Sequence, residues 1–126
     1  MKDAIAVLQT RYDTSDAVWF FVKPNYRIIH FNKKAASNSV ALHNKKIAPG
    51  DSILDYARDT SNKIDEEFIT CFGKAAAGQF VEHEQQIHYQ DLVLLTRSTY
   101  TPVYEAETIL GISIVVEVTP VKTSET

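Results

Sequence analysis

The chain begins with apolar residues at helical spacing. Ile5, Leu8 and Tyr12 recur at intervals of three and four residues, so they share one face of a helix over residues 1–12. The polar residues that follow end this pattern. We therefore expect a helix that flanks the main domain within residues 1–16.

Two strands separated by a tight turn come next. Residues 17–22 and 27–31 are rich in β-branched and aromatic side chains, which are typical of strands. Between them, the tetrapeptide at 23–26 contains a proline and an asparagine, which favour a turn. This pattern predicts a β-hairpin.

Helical signals fill the middle of the chain. Asn32 can accept a backbone N–H of the turn that follows it and so cap a short helix over residues 33–39. The segment after that helix does not favour one structure. Beyond a Pro-Gly break, Asp51 or Ser52 can cap a second short helix over residues 53–58.

The main helix is predicted from a polar capping cluster at residues 60–62 to residue 77. Acidic side chains in its first turns suit the positive end of the helix dipole, and Gly78 is a suitable stop. Its apolar stripe consists of Ile64, Phe68, Cys71, Phe72 and Ala75. A stripe of this kind usually packs one helix face against a core.

After the main helix, the periodicity changes to that of strands. Three strands are predicted at residues 80–89, 92–103 and 108–119, separated by polar turns. One face of the last strand is expected to carry Leu110, Ile112, Ile114, Val116 and Val118. Two strands, several helices and three strands indicate an α+β fold with a five-stranded antiparallel sheet and helices inserted between strands two and three.

Composition and charge exclude several functional classes. The 126 residues, 44% of them hydrophobic, suffice for one domain with its own core. The formal net charge of −3, without a long run of either sign, argues against a nucleic-acid partner. The apolar stretches are too short for membrane insertion, and the N-terminus resembles no secretory signal, so a cytoplasmic domain is expected.

Two stretches carry motifs of a known family. The first is the hairpin that runs directly into a helix at residues 17–37. The second combines the Pro102-Val103 pair, Gly111 and a closing tripeptide at 117–119 ahead of Lys122. Together with the order of the elements, these motifs resemble the PAS domain family over residues 17–122. The tripeptide departs from the family pattern, since it begins with glutamate where aspartate is usual.

The resemblance implies a sensory or dimerisation module, not an enzyme, with no catalytic residues. Residues 1–16 would form a flanking helix, residues 17–122 the PAS-like domain, and residues 123–126 a polar tail. The expected context is the input part of a sensor histidine kinase or a related regulator, with an effector domain covalently attached. A signal would then leave the domain through Glu117, Val118 and Thr119.

The PAS resemblance also places a candidate ligand pocket between the sheet and the helices. Tyr56, Phe68, Cys71 and Phe72 are the expected lining residues for a small ligand of unknown identity. The competing interpretation is that the same side chains simply fill the core. That interpretation is favoured, because most apolar helix stripes are core.

The other face of the sheet is the candidate dimer interface. Trp19, Phe20 and Phe21 are consecutive on a strand, so both faces of the sheet carry large apolar groups. The face away from the core must also be covered, because a broad exposed apolar patch usually marks an interface. The residues expected in a homodimer interface are Ile5, Leu8, Tyr12, Trp19, Phe21 and Val115.

Neither a cofactor nor a metal is expected. Cys71 lacks the Asn-Cys-Arg motif of the flavin-binding PAS domains, and the main helix lacks the histidine that usually ligates haem in the family. His83 and His88 are five residues apart on a strand, so they point to opposite faces and form no metal site. Both are interpreted as solvated strand histidines. His30 is interpreted as a structural histidine, with pH sensing as the alternative.

Two alternatives remain open at this stage. One is a cone-shaped α+β domain of the nuclear-transport-factor-like type, which often houses a small-molecule site or an enzyme. Such folds place more helix before a long curved sheet, whereas here a hairpin comes first. The other is a PAS domain that binds no ligand and serves only for dimerisation.

Overall fold

The structure is built around one five-stranded antiparallel sheet. The computed structural model describes residues 11–13, 17–57, 63–89 and 92–121. The strands are β1 (Val18–Val22), β2 (Ile28–Phe31), β3 (Val81–Tyr89), β4 (Leu92–Glu105) and β5 (Thr108–Val121). Their order across the sheet is β2-β1-β5-β4-β3, so the first and last strands of the chain lie side by side. The expected α+β class and antiparallel sheet are confirmed.

The connection between β2 and β3 contains the helices, as the sequence predicts. Helix α1 spans Lys33–His43, a 3₁₀ turn spans Ile53–Tyr56, and helix α2 spans Glu66–Ala76. Within the described ranges, no helix is long and apolar enough to cross a membrane. Of the expected flanking helix, residues 11–13 are described and are helical, whereas Ile5, Leu8 and the tail at 123–126 lie outside the described residues.

Helix α1 is longer than expected because its end is determined by backbone conformation. Asn32 caps it as predicted, since its Oδ1 accepts the Ala35 N–H at 3.0 Å. The helix then continues through the ambiguous segment to His43. Asn44 follows with a φ of 51°, a left-handed conformation that asparagine tolerates and that ends a helix.

Helix α2 begins later than expected, so the assignment of its cap to residues 60–62 is wrong. Lys63 and Ile64 are described and are not helical. Asp65 is the N-cap, because its Oδ1 accepts the Glu67 N–H at 3.0 Å. The carboxylate also suits the positive end of the helix dipole. A local hydrogen bond therefore decides where this helix begins.

The sheet has an inner face that packs on the helices and an outer face that points away from them. On the inner face, buried side chains of the sheet meet α2 in one hydrophobic core. This core includes Val22, Ile28, Ile53, Phe68, Cys71, Phe72, Ala75, Tyr100, Ile112 and Ile114. On the outer face, a smaller cluster surrounds Trp19 and Phe21, and we call it the outer cluster. Tyr12, Ile29, Val103, Leu110 and Val115 pack against those two side chains.

A β-bulge in β5 makes the predicted face of Leu110 wrong. The pairing with β4 passes from Val103 opposite Gly111 to Tyr104 opposite Ile109, which leaves Leu110 as an extra residue. Leu110 consequently packs in the outer cluster and not with Ile112 on the inner face. The strict alternation assumed from the sequence holds only beyond the bulge.

Gly111 is required because the outer cluster packs directly on its backbone. A Cβ atom at this position would lie 2.7 Å from Phe21 Cζ and 2.9 Å from the carbonyl oxygen of Val22. Both distances are far below van der Waals contact, and the second involves backbone that cannot rotate away. The absence of a side chain at Gly111 therefore allows β1 to pair closely with β5 while the Phe21 ring packs over the glycine on the outer face of the sheet.

We expect Gly111→Ala to lower the free energy of unfolding by about 1–3 kcal/mol, because the added methyl group overpacks a filled site. Gly73→Ala is the matched control, since a Cβ there would meet nothing within 4 Å and would favour helix α2. Urea denaturation of both variants measures the difference. A Gly111→Ala protein as stable as the wild type would contradict the close approach.

Candidate functional site

Three of the four expected pocket residues come together on helix α2. Phe68, Cys71 and Phe72 are buried on the helix face that meets the sheet, since their spacing of three and four residues places them on one side. The Phe72 ring stacks on Tyr26 with 4.8 Å between ring centroids. The Phe68 ring lies 5.6 Å from Phe72 and 6.0 Å from Tyr100. These rings form an apolar wall, and lining of a cavity by them stays a prediction.

Tyr56, the fourth expected pocket residue, lies half-buried at the margin of this wall. Its hydroxyl donates to Asp51 Oδ2 at 2.9 Å, and the same oxygen accepts the Ala48 N–H at 3.0 Å. The Tyr56 hydrogen bond holds the pKa of Asp51 below its usual value. Burial, and then the Asp51 carboxylate, raises the pKa of Tyr56. The pair fixes the loop that leads into the 3₁₀ turn.

The buried thiol and phenol of the wall are neutral at pH 7. Burial raises the pKa of the Cys71 thiol, and the negative charge of Glu67 acts in the same direction. Burial also raises the pKa of Tyr100. A protonated, buried thiol is a poor nucleophile. Cys71 therefore contributes a small apolar surface to the site.

A row of polar groups on β3 and β4 continues the inner face beyond the aromatic rings, and we call it the polar row. His83 Nε2 lies 3.1 Å from Gln85 Oε1 and 3.7 Å from Glu67 Oε1 on α2. The buried Thr96 hydroxyl donates to the Gln85 carbonyl oxygen at 3.3 Å. The sequence indicated a solvated strand histidine, and it gave no signal for the approach of Glu67. The row offers hydrogen-bond donors and acceptors beside an apolar wall.

Of the remaining histidines, His30 is the one whose side chain the structure describes. His30 is half-buried and lies opposite Phe21 in the register of β1 and β2, and its role stays a prediction. The side chain of His88 lies outside the described residues. In the part of the chain that the structure describes, no three His, Cys, Asp or Glu side chains are grouped to hold a metal ion.

The residues expected at a dimer interface also come together, in the outer cluster. Trp19 and Phe21 have no exposed surface in the single chain, and Val115 packs against them. The Tyr12 ring stacks on Trp19 with 5.7 Å between centroids and 13° between planes. The indole N–H of Trp19 donates to Ser113 Oγ at 2.9 Å. A second copy of the chain that docks here would contact Tyr12, which covers Trp19, and the partly exposed Val115.

The expected signal exit lies on the part of β5 that extends beyond β1. Residues 117–119 are exposed and pair with β4, whereas β1 pairs only with residues 112–116. Arg97 lies opposite Glu117, and its Nη2 donates to Glu82 Oε2 on β3 at 3.0 Å. This hydrogen bond, with the charge of Glu82, raises the pKa of Arg97. Side-chain charges thus connect the exit to β3, which the sequence pattern did not indicate.

Comparisons with known proteins identify the fold. No family model matches the sequence, and no curated protein matches it. Among solved structures, the chain is similar to the PAS domain of a protein from Colwellia psychrerythraea, with a TM-score of 0.62 and 16% identity over 91% of this chain and 96% of that one. It is also similar to a sensory box sensor histidine kinase from Vibrio cholerae, with a TM-score of 0.58 and 16% identity over 97% and 96% of the two chains.

A third similar structure is the PAS domain of an HTR-like protein from Haloarcula marismortui. Its TM-score is 0.53 and its identity 10%, over 96% of this chain and 100% of that one. All three similarities cover almost the whole of both chains, although the sequences have diverged widely. They show that the chain has the PAS fold, the first of the folds considered from the sequence.

We expect Tyr56→Phe to lower the free energy of unfolding by about 1 kcal/mol at neutral pH, because Asp51 loses a hydrogen bond to its charged form. Since the pKa of Asp51 is lowered in the folded state, this stabilisation is present above the unfolded carboxyl pKa, about 3.9, and is lost as the pH falls through the folded value. Denaturant titrations of wild type and variant from pH 7 to pH 2.5 measure the change.

Tyr104→Phe is the control for this experiment, because it removes a hydroxyl from an exposed tyrosine of β4. Its effect should be small and independent of acid pH. A Tyr56→Phe effect that stays constant down to pH 2.5 would contradict the assigned role of Asp51.

Proposed function

We propose that this chain is a sensory module with the PAS fold that acts within a signalling protein and has no catalytic activity of its own. The observation that carries the proposal is the similarity in fold, over nearly the full length of both chains, to a sensory box sensor histidine kinase. PAS domains are generally sensory modules and not enzymes, which supports a role in detection or relay. A histidine kinase or a related regulator is the proposed context, with an effector domain attached.

The proposed input is a small ligand bound at the inner face of the sheet. The aromatic wall of Phe68, Phe72 and Tyr100 supplies apolar surface, and the polar row supplies hydrogen-bonding groups beside it. A site of this composition suits a small molecule with one apolar and one polar part. The proposed ligand is neither haem nor flavin, because the sequence lacks the motifs that hold them in PAS domains.

The proposed output runs along β5. Ile112 and Ile114 belong to the inner core, and Ser113 between them holds Trp19 in the outer cluster. The same strand continues to the exit at residues 117–119. A change in packing on either face therefore reaches the exit through one continuous strand. A ligand moves this equilibrium only by binding one arrangement more tightly than the other.

Native mass spectrometry of the freshly purified chain, beside a denaturing spectrum, tests the ligand. We expect extra mass that is lost on denaturation and that decreases in Phe72→Leu, which shortens the aromatic wall but keeps it apolar. Ile69→Leu is the matched control, since Ile69 is exposed on the same helix. If the native spectrum shows only the bare protein, the chain is incubated with a cell extract of small metabolites and measured again. The absence of added mass in this second spectrum would contradict a ligand-binding role.

We also propose that the module dimerises through the outer face of the sheet, next to the outer cluster. Val115→Arg places a charge beside Trp19 and should turn a dimer into a monomer in light scattering at micromolar concentration. Ala41→Arg, an equal change at an exposed position of α1, should leave the dimer intact. A wild-type chain that is monomeric under these conditions would contradict dimerisation.

A further inference from the structure

Residues 11–13 lie against the outer cluster and are fixed there by several contacts. The Tyr12 ring stacks on Trp19, and the guanidinium carbon of Arg11 lies 5.9 Å from the centroid of the Tyr12 ring. Asp13 Oδ1 accepts the backbone N–H of Lys33, the first residue of α1, at a distance of 3.1 Å. Residues 11–13 therefore touch both the sheet and the beginning of a helix.

Asn32 joins these elements through one buried amide. Its Oδ1 accepts the backbone N–H groups of Trp19 at 3.1 Å and of Ala35 at 3.0 Å. Its Nδ2 donates to the carbonyl oxygens of Tyr12 at 2.7 Å and of Ala17 at 2.8 Å. The residue is 1% exposed. All four hydrogen-bonding positions of the amide are thus occupied, and they connect residues 11–13, β1 and α1.

The amide makes these contacts interdependent. A side-chain amide is planar, so the donor to Tyr12 and the acceptor for Ala35 cannot rotate independently of each other. If residues 11–13 move away, the N–H of Lys33 loses its partner at the surface, and one Nδ2–H of Asn32 loses its partner in a partly buried place. Unpaired groups of this kind are costly, so intermediate positions are disfavoured relative to a closed state and an open state.

We propose that residues 11–13 form a latch, closed over Trp19, whose release is transmitted through Asn32 to the start of β1 and the N-terminus of α1. The latch gives the module a second site of communication, at the opposite end of the chain from the exit on β5. A displacement of residues 11–13 loosens the cap of α1 and uncovers the outer face of the sheet. This role depends neither on a bound ligand nor on a dimer.

Trp19 makes the latch directly measurable, because it is the sole tryptophan of the chain. In the variant Tyr12→Ala the stacking ring is lost, but the backbone carbonyl that Asn32 contacts remains. We expect the emission of Trp19 to move to longer wavelength and its quenching by acrylamide to rise about twofold or more. In the same variant, hydrogen exchange at the Lys33 and Ala35 amides should become about tenfold faster, while the α2 amides are unchanged.

A second variant separates the cap from the latch. Asn32→Asp keeps an oxygen that can accept from Ala35 and Trp19 but removes both donors to Tyr12 and Ala17. We expect it to reproduce the Trp19 change of Tyr12→Ala. Should it not fold, Asp13→Ala replaces it, since that change removes only the acceptor of the Lys33 N–H. Asp13→Ala should speed exchange at Lys33 and increase the quenching of Trp19.

Two control variants define the specificity. Tyr104→Ala removes an exposed tyrosine outside the latch, and Asp65→Ala removes the cap of α2. Asp65→Ala should speed exchange in the first turn of α2, and neither control should change the quenching of Trp19. The proposal is overturned if Tyr12→Ala leaves Trp19 unchanged. It is equally overturned if Trp19 becomes accessible without faster exchange at Lys33 and Ala35, or if α1 and α2 accelerate by the same factor.

Discussion

The pairing of β1 with β5 is the constraint on which the rest of the molecule depends. Five residues of β1 pair with residues 112–116, and this ladder places the hairpin at the start of the chain beside the strands at its end. Because β1 is an apolar strand, both of its faces need a partner. Val22 enters the inner core, whereas Trp19 and Phe21 enter the outer cluster. Helix, sheet and N-terminal segment are therefore arranged around a single strand.

The sequence predicted the features that local interactions determine. The hairpin, the cap at Asn32, the stop at Gly78 and the stripe of α2 each depend on residues near one another in the chain. The start of α2 was missed because several polar residues there are equally good caps, and the choice of Asp65 depends on the path of the preceding loop.

Features that depend on pairing or packing between distant segments could not be predicted from the sequence. Leu110 lies on the outer face because a bulge is set by the register with β4, and no pattern within β5 reveals it. The approach of Glu67 to His83 could not be predicted, because Glu67 belongs to another element. The part of the apolar wall that helix α2 supplies, Phe68 and Phe72, was thus predictable. The contribution of Tyr100 and the polar row was not, because both require the sheet and α2 together.

The distance along the chain between β1 and β5 also has a consequence for biosynthesis. Trp19 and Ser113, which share a hydrogen bond, are 94 residues apart, so β1 emerges from the ribosome long before its partner. During that interval the segment Val18–Val22 is an unpaired, uncharged and strongly apolar strand. Such segments readily pair with other nascent chains. Early shielding by a chaperone, or by the adjacent β2, would therefore limit aggregation and raise the yield of folded protein.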